Sequence, residues 1–259
     1  MPEPPSRPPR HFLYEQATRL ESLERAWLRV LRNAGAAGAD GLTVAEFARA
    51  APVRLISLHR SLRDGSYRPG PLRRVAIPKP AGGERVLLIP GIADRIVQTA
   101  VAEALVPVLE PGFEDDSFAY RPGRSVAQAV ERVRRLRADG YQWVIDGDIE
   151  RYFDRVPHDP LLGLLETHLD DPALLDLIAQ WLEQASAETG GSFGLPQGSP
   201  LSPLLSNLYL DQLDDAAQDA ALGAGVRLEH CAKSGNRFSQ QQCDRTKGWI
   251  SVPASGDAR

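Results

Sequence analysis

The chain has 259 residues, 42% of them hydrophobic and 25% charged, enough to bury one large core or two smaller ones. No run approaches the roughly 18 consecutive apolar residues of a membrane span, and the Pro- and Arg-rich start, Met1 to Arg10, lacks the apolar stretch of a secretory leader. Two cysteines, Cys231 and Cys243, make no disulfide framework, so a cytoplasmic protein with no membrane attachment is expected. The net charge of −4 conceals a polar distribution: residues 1–140 hold 22 Arg and Lys against 16 Asp and Glu, residues 141–226 hold 2 against 15, and residues 227–259 hold 6 against 3. A basic front suits a polyanion such as nucleic acid, and an acidic second part suits either metal ions or a solvated helical face.

Residues 1–12 read as a flexible arm. Apolar residues Leu20, Leu23, Trp27, Val30 and Leu31 recur at helical spacing from about Tyr14 to Asn33, where the Gly-rich stretch to Gly41 stops the pattern. Thr43 followed by Glu46 predicts a capping box opening a helix that runs to Arg63. Between Pro71 and Pro90 the period changes: two apolar runs flank Pro78-Lys79-Pro80-Ala81-Gly82-Gly83, which predicts a hairpin. A long amphipathic helix follows Gly91, and another follows Ser125 with a basic outer face at Arg132, Arg134, Arg135 and Arg137.

Tyr141 to Ile145 reads as a strand that delivers Asp146 and Asp148 at its end. An aspartate there can pair with a divalent cation or cap a following helix, and Asp154 can cap or orient a neighbour; from the residues alone each reading stands. Helices are predicted over 160–168, 172–187 and 204–222. Between the last two, Pro196-Gln197-Gly198-Ser199-Pro200 makes a rigid turn, either functional or mere punctuation.

Six segments in order carry a resemblance: Gly38-Ala39-Asp40-Gly41; Ile77-Pro78-Lys79-Pro80 with Gly83-Glu84-Arg85; Asp94-Arg95-Ile96-Val97-Gln98; Phe118 to Ser125; Gly147-Asp148-Ile149 with Tyr152-Phe153-Asp154; and Gly194-Leu195-Pro196-Gln197-Gly198. Over about residues 25–226 the sequence resembles the reverse transcriptase domain of bacterial group II intron-encoded proteins and of the related CRISPR-associated enzymes. The resemblance implies an α/β (α+β) right-hand polymerase, with fingers over 13–140 and a partial palm on an antiparallel sheet over 141–228. It implies a nucleotidyltransferase that synthesises DNA on an RNA template through Mg²⁺, with RNA template and DNA primer, or intron RNA, and deoxynucleoside triphosphates as partners.

By the same resemblance, Asp148 is the first catalytic, metal-binding aspartate and the Ile149 carbonyl a second metal ligand. Lys79, Arg85, Phe153, Gln197 and Gly198 would bind nucleotide, and Arg95, Arg121 and Arg124 would track nucleic acid. Lys79 is the sole lysine before position 233 in a chain with 27 arginines, a choice that fits a compact point charge.

The pattern departs from the family after Val226. There Gly225-Val226-Arg227-Leu228 leads into Glu229-His230-Cys231, with no Tyr-Ala-Asp-Asp turn and no thumb. Both cysteines and a Gln240-Gln241-Gln242 run fall in the same stretch. The expectation is a chain truncated or frameshifted near residue 229, with a non-homologous, disordered tail over 229–259 and impaired or absent catalysis. A non-catalytic, maturase-like RNA-binding module or a decayed fragment is the alternative. His230, Cys231 and Cys243 are too scattered to make a zinc signature.

Overall fold

The computed structural model describes residues 12–78, 84–222, 227–229 and 248–253. They divide into two compact units, Met1–Leu109 with Arg151–Ser206, and Glu110–Glu150 with Asn207–Arg259.

The first unit opens with α1 (Phe12–Thr18) and α2 (Leu20–Asn33). The predicted single helix is broken at Arg19, whose extended ψ of 145° interrupts the ladder although the apolar spacing continues across it. The capping box forms in full: Thr43 Oγ1 accepts from the Glu46 amide at 3.2 Å, and Glu46 Oε2 accepts from the Thr43 amide at 2.9 Å. It starts α3 (Val44–Arg49), which ends at Ala50; α4 (Ala51–Arg63) begins afresh with Pro52 in its first turn. Pro52 has no N–H to donate, so the predicted helix becomes two.

The hairpin pairs β1 (Arg73–Pro78) antiparallel with β2 (Glu84–Ile89), with Ile77 opposite Arg85 and Val75 opposite Leu87. Then α5 (Ile92–Leu109) runs through the core against α1 and α2. Its Ile92, Ile96, Val97, Val101 and Leu105 are fully buried with Leu23 and Ala26 of α2. At about 25 cal/mol per Å² of apolar surface removed from water, such side chains hold the unit together. Polar groups are paired there too: Tyr67 donates to Asp94 Oδ1 at 2.6 Å, the Gly70 amide donates to Asp94 Oδ2 at 3.0 Å, and Trp181 Nε1 donates to the Tyr67 hydroxyl at 3.3 Å. Burial pushes the Asp94 carboxyl above the usual carboxylate range, against the lowering effect of these hydrogen bonds. The unit is completed by α7 (Tyr152–Arg155), α8 (His158–His168) and α9 (Pro172–Thr189), the last capped by Asp171.

In the second unit α6 (Val126–Ala138), capped by Ser125, contacts β3 (Tyr141–Gly147). A sheet of order β3-β5-β4 joins β3 to β5 (Gly248–Pro253) and β4 (Arg227–Glu229), all antiparallel. The helix α10 (Ser202–Leu222) begins in the first unit and from Asn207 belongs to the second. Of the tail expected to be disordered, residues 230–247 and 254–259 lie outside the described residues, as do His230, Cys231 and Cys243. Gly248–Pro253 is a strand, with Ile250 opposite Ile145. Among the described residues no helix is long and apolar enough to cross a membrane.

Candidate nucleotide-handling site

The stretch Gly194–Ser202, which leads into α10, is hydrogen-bonded at its start, its middle and its end. Its start is bonded to the stretch around α7: the Leu195 amide donates to the Phe153 carbonyl at 2.6 Å and the Gly194 amide to that of Val156 at 2.8 Å. Its end is bonded to α5, where Ser199 Oγ donates to Gln98 Oε1 at 3.0 Å, and both residues are buried. In the middle the Gln197 carbonyl accepts from the Leu88 amide at 3.0 Å, so the loop covers the outer edge of β2. Gly198 makes that approach possible. Its φ is +135°, and a Cβ added there would lie 2.8 Å from the Leu88 carbonyl oxygen.

Side chains extend this junction. Arg85 Nε donates to Gln197 Oε1, Gln197 Nε2 donates to Asp154 Oδ1 at 3.0 Å, and Arg151 Nε donates to Asp154 Oδ2 at 3.2 Å. Two of the predicted nucleotide residues, Arg85 and Gln197, are thereby joined across 112 positions of sequence. Gly198 lies in the same loop. Phe153 is half-buried and meets the ring of Tyr152 edge-on, centroids 6.0 Å apart, while the Tyr152 hydroxyl donates to the Ser206 carbonyl. Lys79 falls outside the described residues.

In the second unit, Asp148 and Ile149 follow β3 with exposed side chains. Among the described residues no three His, Cys, Asp or Glu side chains gather as a metal site.

The three arginines expected to track nucleic acid are engaged within the chain. Arg95 is buried in the first unit, where its guanidinium donates to the Ala36 carbonyl at 2.8 Å, and burial pulls its pKa below the ordinary value. Arg121, also buried, donates to Glu110 and to the carbonyls of Phe113, Glu114 and Ser117. Arg124 is partly exposed and holds Asp115 at 2.9 Å. Sequence reading did not foresee that Gln98 anchors the loop or that Asp154 meets Gln197. A polar residue on the buried face of α5 was the available signal for Gln98.

The reverse transcriptase (RNA-dependent DNA polymerase) family profile matches residues 77–232. Protein YkfC of Escherichia coli K12 is 35% identical over 200 residues, which span 74% of this chain and 52% of YkfC. Group II intron-encoded protein LtrA of Lactococcus lactis subsp. cremoris is 39% identical over 160 residues, 60% of this chain and 26% of LtrA. Nuclear intron maturase 4, mitochondrial, of Arabidopsis thaliana is 31% identical over 138 residues, 51% of this chain and 17% of the maturase. The chain thus spans about half the length of YkfC and about a quarter of LtrA. Among solved structures, a chain of a partial Cas6-RT-Cas1–Cas2 complex aligns with 94% of this chain and 39% of its own length, at a TM-score of 0.51 and 22% identity, a likeness of fold. With mixed helices and antiparallel sheets and the family profile over more than half its length, this chain is a reverse transcriptase domain and belongs to the reverse transcriptase family.

Proposed function

We propose that the chain carries the nucleotide-handling part of an RNA-directed DNA polymerase, with residues 13–140 as fingers and 141–228 as the front of the palm. The observation that supports this reading is the junction of Arg85 with Gln197, where a loop of one motif covers the edge strand of another. Arg85, together with Lys79, would meet the triphosphate, since paired cations offset the charge of the phosphates in transfer. The Phe153 ring would lie against the sugar and disfavour a 2′ hydroxyl. The backbone at Gln197 and Gly198 would contact nucleotide without reading its base, because main-chain groups carry no sequence information.

The family in general depends on a divalent metal. Asp148 and the Ile149 carbonyl are the groups proposed to hold Mg²⁺. Magnesium takes six oxygens and a two-metal centre needs carboxylates shared between the ions. Among the described residues no three His, Cys, Asp or Glu side chains gather around Asp148, and residues 229–259 contain no adjacent aspartate pair. Asp148 and the Ile149 carbonyl by themselves do not fit a two-metal centre. These 259 residues by themselves should bind deoxynucleoside triphosphate and polyanion without appreciable polymerisation. Primer extension on an RNA template with deoxynucleotides and Mg²⁺ is the test: robust synthesis abolished by Asp148→Ala would refute the proposal.

A second reading, a non-catalytic RNA-binding module holding intron RNA, draws on Arg134, Arg135 and Arg137, which project from the exposed face of α6 with Glu131 as the near carboxylate. It predicts RNA binding whose affinity falls steeply between 50 and about 200 mM salt, by the release of counterions. RNA binding with no triphosphate binding would favour it over the first.

A further inference from the structure

The Gln197 side chain has a donor end and an acceptor end of nearly the same shape, so nothing in its own form decides which end faces Arg85. Its two neighbours decide it. Arg85 offers donors only, and the Asp154 carboxylate oxygens accept. With Nε2 on Asp154 and Oε1 on Arg85, both contacts are hydrogen bonds. A flipped amide would set oxygen against carboxylate and N–H against guanidinium, and lose both.

Asp154 is itself held in two ways. Arg151, in a left-handed conformation at φ 54°, bonds its second carboxylate oxygen. On either side of Asp154 the chain is fixed by the backbone bonds from Leu195 to Phe153 and from Gly194 to Val156. The backbone on either side of the carboxylate is thus tied to the start of the loop that carries Gln197.

We infer that Asp154 is a positioning residue of the nucleotide site: it fixes the Gln197 amide so that its oxygen faces Arg85 and presets the Arg85 guanidinium for a deoxynucleoside triphosphate. This rests on the reading of Arg85 and Gln197 as nucleotide-binding residues. Presetting a flexible arginine lowers the ordering cost of binding and so favours the complex.

Two measurements on the full chain test it. In ¹⁵N-labelled protein, the Arg85 Nε–H should exchange slowly with water in the native chain and about fivefold faster in Asp154→Ala, as loss of one hydrogen bond implies. Asp154→Asn, which keeps an acceptor oxygen but can turn it away, should fall between. The Leu88 amide, bonded to the Gln197 carbonyl, should keep its protection in both variants. Unchanged Arg85 exchange, or equal loss of protection at Leu88, overturns the inference, the second by making Asp154 a plain support of the loop. In the other measurement, a fluorescent deoxynucleoside triphosphate without metal should bind about fivefold more weakly to Asp154→Ala and to Gln197→Ala, and no more weakly to the double variant. Additive losses overturn the coupling. Failure of the native chain to bind triphosphate would instead sink the nucleotide reading, while Arg85 exchange still decides whether Asp154 orients Gln197.

Discussion

The Gly194–Ser202 loop and the Asp148–Ile149 segment both lie within the stretch matched by the family profile, yet they are supported differently. The first is bonded to β2 through Leu88, to α5 through Gln98 and to the chain around Asp154 through Leu195 and Gly194. The second leaves β3 with its side chains exposed. A loop held on several sides keeps its geometry without ligand, as the proposed role in triphosphate binding requires. An exposed carboxylate takes a fixed geometry only from what binds it.

The sharpest way to break this contrast is Gly198→Ala. At φ +135°, a region essentially reserved for glycine, and with the new methyl 2.8 Å from the Leu88 carbonyl, the loop must leave β2. We expect a loss of about 3 kcal/mol in urea unfolding and faster exchange of the Leu88 amide. A loss under about 1 kcal/mol would mean that the loop tolerates displacement and is not held as described.

Next in size is Asp94 on α5, four residues before the loop's anchor Gln98. Asp94→Ala leaves the Tyr67 hydroxyl without its carboxylate acceptor and the Gly70 N–H without Asp94 Oδ2, and should cost about 2 kcal/mol. The pH dependence has a defined sign. Because the folded carboxyl titrates above its unfolded value, the folded state holds the proton more tightly, and the associated stability is complete below the ordinary aspartate range. It is lost as pH rises from there through the raised folded pKa. Compared with Asp94→Asn, which has no titration at this position, the native chain should lose stability over that window; a parallel profile for the two would refute the assignment.

Much of the frame was legible because its signals are local. Thr43 and Glu46 form a capping box within four residues, and the hairpin follows from two apolar runs around a Pro-Gly turn. The break at Arg19 was hidden because apolar spacing runs through it, whereas the one at Ala50 was marked in the sequence by Pro52, which opens a new helix. In the first unit the sequence marked Arg85 and Gln197 as candidates, but not the bond between residues 112 apart. The same limit concealed the burial of Arg95 and Arg121: their acceptors are mostly backbone carbonyls, which every residue has and no sequence pattern marks. The strand Gly248–Pro253 lay in a stretch set aside on composition, although Trp249, Ile250 and Val252 offered a short β-favouring run.

A smaller test probes one anchor of the loop at a time. Ser199→Ala removes a hydroxyl that donates to Gln98 Oε1 and accepts from the Leu201 amide at 3.2 Å, and leaves the buried Gln98 amide oxygen without that donor. We expect about 1 kcal/mol in unfolding, with the Arg85 and Leu88 resonances little changed because the β2 contacts remain.

The smallest effect is expected at the other side of the contrast. Asp148 is exposed, so Asp148→Ala should change unfolding stability by no more than about 0.5 kcal/mol without divalent metal. The informative quantity is the increment that magnesium adds, since a ligand stabilises only the state that binds it. With Asp148 and the Ile149 carbonyl as the proposed ligands, millimolar Mg²⁺ should shift the native midpoint little, and Asp148→Ala should remove whatever shift there is. A large magnesium stabilisation that Asp148→Ala abolishes would mean that further oxygen ligands join Asp148 in solution, and the two motif loops would then be equally well organised once the metal is bound.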